Sequence, residues 1–367
     1  MPIHVFNLSS RITALRQHPY LRHLRNQRNL WLWLLLFAIL LPLPLGDYYR
    51  TVAWRTGVYI MLGLSLNIIV GYAGMFQLGH AAFYAIGAYT AAILNLRFGM
   101  PLLLTFPFSI LVAAIFAYLI TRPILHLRGD YLAIVTIAFG EVVRLALVNN
   151  LFGITGGANG LSGIARPSIF GLELRQPIYH YYLMLFFLVI TIFAMQRLEN
   201  SRLGRAWMYI REDEAAAEAM GLDTTHLKLL AFVLGSGWAG LAGALYAAKL
   251  TVISPDLSKF LESVMMFSIV VLGGAASIPG VFVGALGMIT LPEMFRPLKD
   301  WRDAWMGVAM VLMMIARPEG LWPSRRVQLE VHEDDVSSGQ LAVDSRQWTG
   351  DSEQWAVDEV ADDKVSP

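Results

Sequence analysis

A few ionisable and polar side chains stand inside long apolar stretches of this sequence, and these residues are the best placed to do chemistry. Glu141 and Arg144 lie within the run RGDYLAIVTIAFGEVVRLALVNN (128–150). Residues three apart share one face of a helix, so these two can form an ion pair. A lone charge at the bilayer centre costs about 2.5–3.5 kcal/mol, so it usually faces a partner or a watery cavity. The pair either locks its helix against neighbouring helices or lines a route along which a zwitterion would meet separated charges.

Three more polar residues, Asn67, Gln77 and His80, lie in the apolar stretch NIIVGYAGMFQLGHAAFYAIGAYTAAIL (67–94). The glycines that interrupt this stretch are Gly71, Gly74 and Gly79. Irregular backbone at membrane depth is tolerated only where protein or a watery cavity receives its polar groups. The pattern predicts a broken span whose polar residues are candidates for a translocation path. Close helix packing at the glycines is the alternative.

A second stretch of this kind is SIVVLGGAASIPGVFVGALGMITL (268–291), which we expect to break at Gly273-Gly274 and again at Pro279-Gly280. Gly273 and Gly274 therefore join the candidates for the path. One broken segment in each half of a chain is typical of a transport pathway between two repeats. The two halves show no convincing sequence identity, so an internal repeat is a hypothesis.

The segment LFGITGGANGLSGI (151–164) is rich in backbone N–H groups and poor in side chains. Its candidate residues are Thr155, Gly156, Gly157, Asn159 and Gly160. Consecutive amides in such a run can form a nest that accepts an anion. A tight turn is the alternative interpretation.

A polar loop, SRLGRAWMYIREDEAAAEAMGLDTTHLK (201–228), separates two apolar runs that are each long enough to cross a bilayer. Acidic residues before an alanine run favour a helix start, and Gly221 can end that helix in a left-handed conformation. Asp223 or Thr224 then suits the N-cap of the next helix. The segment is either a docking helix for a cytoplasmic partner or an ordinary amphipathic connector. Its candidate docking residues are Arg211, Glu212, Asp213, Glu214, Ala215, Ala216 and Gly221.

Motifs for catalysis are missing from the sequence. The chain has no cysteine, no His-Glu-x-x-His and no Gly-x-Ser-x-Gly. A Walker loop needs Gly-Lys-Ser/Thr, and no lysine here follows a glycine. We therefore expect neither an enzyme nor a metal or cofactor site, and any ATP site must belong to another chain.

The elements that must position these residues are membrane helices. Hydrophobic residues make up 56% of the chain and charged residues 15%, values typical of a membrane protein. Runs long enough to span predict an all-α, multi-pass protein with about ten helices, some of them broken or re-entrant. We place the spans near 30–45, 56–72, 79–96, 102–121, 131–149, 179–197, 229–250, 261–275, 280–296 and 303–317. Small residues every fourth position, such as Gly235, Ala239 and Gly243, predict close packing of the seventh span.

Basic residues before the first apolar run set the orientation. Residues 1–29 carry five arginines, and no small-x-small cleavage site follows the run. By the positive-inside rule the N-terminus is cytoplasmic, which is simpler than a nucleic-acid patch. Ten spans then place the 122–130 turn and the 198–228 loop inside and the 150–178 loop outside. Residues 324–367 carry 11 acidic and 4 basic residues, so we expect a disordered cytoplasmic tail after the membrane domain 30–323.

Several of these stretches together resemble one family. LGRAW (203–207) with REDEAAAEAMGLD (211–223) is similar to the coupling loop of ABC importer permeases, in the form found in branched-chain amino acid importers. GYAGMFQLGHAAFYAIGAY (71–89), RGDYLAIVTIAFGEVVR (128–144), TGGANG (155–160) and VVLGGAASIPGVFVGA (270–285) resemble that family in the same order. Ala276 stands where the family commonly has glycine.

The resemblance implies a ten-helix permease of the bacterial inner membrane, in contact with lipid. It implies four partner subunits: a second permease subunit, two ATP-binding cassette subunits inside, and a periplasmic solute-binding protein outside. The expected solutes are branched-chain amino acids. Other amino acids, or urea and short amides, are alternatives within the family. An ion-driven secondary carrier, with Glu141 or His80 handling a proton, is a further alternative.

Overall fold

The computed structural model describes residues 38–125, 127, 129–169, 172–173, 175–294, 307–308, 311 and 320–322. The predicted N-terminal segment 1–29 and the acidic tail 324–367 lie outside these residues. The predicted spans 30–45 and 303–317 also fall largely outside them.

Helices make up most of the described chain. In chain order they are α1 (Asp47–Asn67), α2 (His80–Phe98), α3 (Leu102–Ile124), α4 (Asp130–Val148), α5 (Pro177–Glu199), α6 (Arg202–Glu212), α7 (Glu214–Ala219), α8 (Thr224–Leu250), α9 (Phe260–Gly273), α10 (Ile278–Ala285) and α11 (Leu291–Met294). A π-helical segment, Ile68–Tyr72, continues α1, and a second, Leu286–Thr290, joins α10 to α11. Single 3₁₀ turns occupy Leu151–Gly153, Gly157–Asn159 and Pro255–Ser258.

Five helical segments are long and apolar enough to cross a membrane. They are Asp47–Tyr72, Leu102–Ile124, Asp130–Val148, Pro177–Glu199 and Thr224–Leu250. Two shorter apolar segments, Phe260–Gly273 and Ile278–Glu293, coincide with the predicted spans 261–275 and 280–296. Helix α2 coincides with the predicted span 79–96. The described chain is therefore a multi-pass helical protein, and the total of ten spans stays a prediction.

Helix α8 packs closely against α1, α2 and α3. A side chain at Gly240 would lie 2.6 Å from the carbonyl oxygen of Ser109, and Gly243 lies against the backbone of Tyr84 and Ala88. In lipid no hydrophobic force joins helices, so small residues that admit close contact supply the association. The predicted packing surface on this helix is confirmed.

Short strands close the loops at one end of the bundle. β1 (Leu161–Ser162) pairs antiparallel with β4 (Val252–Ile253), which directly follows α8. β2 (Ser168–Ile169) pairs antiparallel with β3 (Leu172–Glu173). The long loop between α4 and α5 is thereby tied to the end of α8.

Candidate functional site: the coupling segment and the broken spans

The polar loop forms two helices, α6 and α7, joined at Asp213. Asp213 Oδ1 accepts hydrogen bonds from the backbone amides of Ala215 at 2.8 Å and Ala216 at 3.0 Å. It therefore N-caps α7. Gly221 has φ of 84°, the left-handed conformation that ends a helix and that glycine adopts without strain. The predicted short helix and its C-terminal cap are confirmed.

Of the two predicted N-cap residues, Asp223 and Thr224, it is Asp223 that caps the following helix. Its Oδ1 accepts from the amide of His226 at 3.0 Å, and its Oδ2 lies 2.6 Å from His226 Nδ1. Hydrogen bonds from the backbone and then the side chain of His226 lower the pKa of Asp223. The carboxylate stays ionised and complements the positive end of the α8 dipole.

Three contacts hold the two short helices, which we call the coupling segment (α6 and α7, 202–219), against the start of α8. Trp207 is fully buried and its Nε1 donates to the carbonyl of Leu227 at 2.7 Å. Lys228 Nζ lies 2.5 Å from Glu214 Oε1, with side chains 10% and 21% exposed. Thr224 Oγ1 donates to Glu218 Oε1 at 2.7 Å. The segment is therefore packed against α8 and is not a free loop.

The predicted docking residues divide into an outward and an inward group. Glu214 is the inward one, since its carboxylate faces Lys228. Ala217, on the inner side of α7, is fully buried, whereas the side chain of Met220 just after this helix is 65% exposed. The exposed predicted residues are Arg211, Glu212, Asp213, Ala215, Ala216 and Gly221. The outer face of α7 is thus small, partly acidic and open to contact.

Arg211 joins the coupling segment to the first broken span. Its Nη1 donates to the carbonyl oxygen of Gly71 at 2.6 Å. Its side chain also packs on Gly74, whose φ is 68°. A cavity of about 140 Å³ beside this contact is lined by 73–76, by the turn after α3, and by Arg211, Glu214 and Lys228. The loop and the 122–130 turn meet here, as expected if both lie on one side of the membrane.

The first break has the predicted position. Helix α1 ends at Asn67, a π-helical segment follows to Tyr72, and α2 starts at His80. Asn67 is 1% exposed, and its Oδ1 accepts from the backbone amide of Ala276 at 2.9 Å. Ala276 belongs to the second break. The structure therefore brings the two broken spans into direct contact through one buried side chain.

The other two polar candidates of the first break are also buried. His80 is fully buried with Nε2 2.8 Å from Ser65 Oγ. Gln77 is 1% exposed, and within the described part of the chain its side-chain amide has no hydrogen-bond partner. The amides of Leu78 and Ala81 donate to Thr136 Oγ1 and Ser263 Oγ, which links the break to α4 and α9.

The second break occurs at Gly273-Gly274, as predicted, but the predicted break at Pro279-Gly280 is wrong. Helix α9 ends at Gly273, and Gly274 adopts φ of 113°. Helix α10 begins at Ile278, so Pro279 lies in its first turn, where Ser277 caps the amide of Gly280 at 3.1 Å. A first-turn proline has no intrahelical hydrogen bond to lose, and its ring favours the helical φ.

Glu141 and Arg144 form the predicted ion pair on α4. Arg144 Nε lies 2.9 Å from both Glu141 oxygens, and Nη2 lies 2.5 Å from Oε1. The Arg144 side chain is 28% exposed and the Glu141 side chain 45% exposed. The pair stands on the outer surface of this chain's bundle, whereas Asn67, Gln77 and His80 lie inside it.

The glycine-rich loop (151–164) forms a turn that is held by hydrogen bonds. The amides of Thr155 and Gly156 both donate to Asn150 Oδ1 at 3.0 Å, and Thr155 Oγ1 donates to the Leu147 carbonyl at 2.9 Å. Gly157 is buried, and Gly160 packs against the backbone of Ile253. Two of the amides of the predicted nest are occupied by Asn150. This favours the tight-turn interpretation, and Asn159 lies within it as part of a 3₁₀ turn.

Sequence reasoning missed three charged residues, Arg55, Glu262 and Glu293. Helix α1 starts at Asp47, nine residues before the predicted span 56–72, so Arg55 lies inside the spanning helix. The Tyr59 hydroxyl donates to Glu262 Oε2 at 2.5 Å across to α9. The helical spacing of Arg55 and Tyr59 was visible in the sequence, but Glu262, the partner of Tyr59, lies 203 positions away.

Comparison with known proteins shows which family this chain resembles. Residues 48–317 match the family model described as branched-chain amino acid transport system / permease component. The chain is 40% identical over 321 residues to the high-affinity branched-chain amino acid transport system permease protein LivM of Salmonella typhimurium and of Escherichia coli. These alignments cover 81% of this chain and 75% of each relative. It is 28% identical over 282 residues to the permease protein BraD of Pseudomonas aeruginosa, covering 72% of this chain and 91% of that protein.

No solved structure gives a significant match. The family match runs through the first break, the coupling segment and the second break, which are the parts that the structure joins. The chain belongs to the family of permease components of branched-chain amino acid transport systems.

Proposed function

We propose that this chain is the membrane-spanning permease subunit of an ATP-driven ABC importer that takes branched-chain amino acids across the bacterial inner membrane. It works with a second permease subunit, two ATP-binding cassette subunits and a periplasmic solute-binding protein. ATP hydrolysis belongs to the cassette subunits. The family match and the relatives' names support the solute class and the kind of machine.

The continuous path of contacts from the coupling segment to both broken spans carries the proposal. An ATPase that moves the exposed face of α7 also moves α6, since the two helices share Asp213. Arg211 then pulls on Gly71 in the first break, and Asn67 pulls on Ala276 in the second. Packed interfaces switch between discrete arrangements, so a small displacement of the coupling segment can be amplified at the breaks.

The exposed surface of α4 indicates that this chain has a partner in the membrane. The window of this helix that would span the bilayer is only 22% buried in the single chain, and its exposed surface carries the Glu141–Arg144 pair. A charge pair at this depth is costly against lipid, so a protein partner or water must cover it. We assign the second permease subunit and the pathway between the two permeases to this side of the molecule.

The test is uptake by the complex purified from its native membrane and placed in liposomes. We expect leucine, isoleucine or valine to accumulate only with ATP inside the compartment that holds the ATPases and with the solute-binding protein outside. Accumulation driven by a proton gradient without ATP would instead indicate a secondary carrier. ATP-driven uptake of urea or short amides in place of leucine would move the chain to another solute class of the same family.

A further inference from the structure

A cavity of about 130 Å³ lies between the first half of α1, α9, the second π-helical segment and α11. Helix α1 contributes Arg55, α11 contributes Glu293, and the remaining lining is largely aliphatic. A cavity of about 150 Å³ is known to hold a molecule of the size of benzene. This one therefore suits a small solute rather than a peptide.

Arg55 is the cationic residue of this cavity, and within the described chain it contacts the ring and the hydroxyl group of Tyr59. It lies within the segment Asp47–Tyr72, which is long and apolar enough to cross the membrane. Its guanidinium carbon is 5.6 Å from the centre of the Tyr59 ring, and it makes no ion pair with a carboxylate among the described residues. A charged residue at such a position is by default a candidate functional site. Its planar fork of donors matches a carboxylate.

Glu293 supplies the opposite charge at the same cavity. The Tyr48 hydroxyl donates to its Oε1, which leaves acceptor sites on the carboxylate for an ammonium group. Between the two charges the walls are formed by Val52, Met265, Met288 and Ile289. Methionine side chains are flexible and adapt to aliphatic groups of differing shape.

The second π-helical segment is a separate observation that points to the same place. Met288 and Ile289 belong to Leu286–Thr290, and Thr290 Oγ1 lies 2.9 Å from Thr56 Oγ1 on α1. Short π-helical insertions are rare and occur frequently at functional sites. This one turns two apolar side chains toward the cavity and is held against α1 beside Arg55.

We propose that this cavity binds an aliphatic amino acid as a zwitterion, with Arg55 receiving its carboxylate and Glu293 its ammonium group. The four apolar side chains receive the aliphatic group. The inference rests on the proposed function, because it names the place where the transported solute first contacts this subunit. In the orientation predicted from the sequence, the first half of α1 lies toward the outside, where a binding protein would deliver the solute.

Thr51 allows a direct test because it lines the cavity and the chain has no natural cysteine. Thr51→Cys is introduced into the assembled importer, and the rate of its modification by a maleimide is measured with and without leucine. We expect leucine at the concentration that saturates uptake to slow the labelling at least about five-fold. Leucine amide and 4-methylpentanoate each lack one of the two charges and should protect poorly. Thr225→Cys, at the exposed start of α8, is the matched control and should show no effect of leucine.

Substitutions then assign the charges. Arg55→Gln should abolish protection of the Thr51→Cys thiol by leucine and raise the KM for uptake about ten-fold, whereas Arg55→Lys should retain part of both. Glu293→Gln should reduce the preference for leucine over 4-methylpentanoate. Arg122→Gln, at the exposed end of α3, is the arginine control and should change neither. Assembly with the partner subunits is checked for each variant by gel filtration.

Leucine-independent labelling of the Thr51→Cys thiol in a preparation that transports leucine would overturn the cavity assignment and leave the proposed function standing. Protection by leucine in a preparation that shows no ATP-driven leucine uptake would support the cavity and contradict the proposed function. Absence of both protection and uptake would contradict both.

Discussion

Arg211 is the residue at which the coupling segment meets the membrane part of this chain. Its guanidinium spans from α6 to the Gly71 carbonyl, and its alkyl chain covers Gly74. Carbonyl groups freed by a break in a helix need such donors at membrane depth. One side chain therefore satisfies the broken backbone and connects it to the surface that we assign to the ATPases.

Arg211→Gln is predicted to uncouple ATP hydrolysis from transport. The shorter neutral side chain loses the charged hydrogen bond to Gly71, an interaction of about 1.5–3 kcal/mol when well shielded and less at this exposed position. ATPase activity should persist while leucine uptake per ATP falls several-fold, as measured in proteoliposomes. Arg205→Gln is the control, since Arg205 Nη1 donates locally to the Asn200 carbonyl. Equal loss of coupling in both variants would contradict the role of Arg211.

Ala276 is a second residue whose conformation leads to a prediction. Its φ is 60°, a left-handed conformation that costs an alanine roughly 1–2 kcal/mol. Its amide is the donor to Asn67, so the turn is held in that conformation by a buried hydrogen bond. A glycine at this position would adopt the same conformation without this cost.

Ala276→Gly should therefore stabilise the protein by about 1 kcal/mol or less, because glycine gives back part of the gain as unfolded-state entropy. The measurement is the Tm of the purified permease in detergent. Ala275→Gly, one residue earlier and outside the left-handed region, is the control and should lower the Tm slightly or leave it unchanged. A lower Tm for Ala276→Gly would contradict the strain argument.

At the scale of elements, neighbouring residue types in the sequence predicted the helix ends and breaks that local interactions determine. The α7 helix and its end at Gly221 follow from neighbouring residue types, and so do the breaks near Gly71 and Gly273. The break proposed at Pro279-Gly280 failed because a proline can start a helix as well as end one.

Contacts between distant elements were outside the reach of such signals. Asn67 was identified as a polar residue at a break, but its partner Ala276 stands 209 positions later. Tyr59 and Glu262 are 203 positions apart, and α1 begins earlier than its hydropathy suggests. Pairing of this kind depends on which helices pack together. No local pattern in a single sequence shows which helices these are.

The end of α7 yields a prediction at this scale. Gly221→Val places a β-branched residue at φ of 84°, where branched side chains are strained, although its Cβ would meet no other atom within 4 Å. We expect the end of α7 to rearrange and uptake per ATP to fall, while the permease still assembles. Gly221→Asn is the control, because asparagine tolerates the left-handed conformation. Normal coupled transport by Gly221→Val would count against α7 as the docking helix.

At the scale of the whole molecule, α4 lies on the side where we expect a partner subunit. It presents a partly exposed ion pair to its surroundings, and only 22% of its membrane-spanning window is buried within this chain. A second permease subunit on this side would enclose the pair and complete a pathway between two chains, each contributing broken spans.

A double-mutant cycle at Glu141 and Arg144 tests this arrangement. Removing one partner leaves an uncompensated charge, which costs more than removing both when the site is enclosed. Glu141→Gln and Arg144→Gln alone should each reduce the amount of second permease that copurifies, and the double substitution should restore part of it. Single and double variants with wild-type assembly and uptake would indicate a solvated pair with no partner.

The most direct measurement concerns the exposed face of α7, where we propose that the ATPase contacts this chain and moves it. Ala216→Cys places one thiol on the exposed face of α7 in a chain without other cysteines, so a thiol-specific photo-crosslinker can be attached there. Irradiation of the assembled importer is predicted to join this chain to its ATP-binding subunit, with a yield that changes when ATP is added. A thiol that reacts from the outside of intact cells, or a crosslink that never captures the ATPase, would contradict the account.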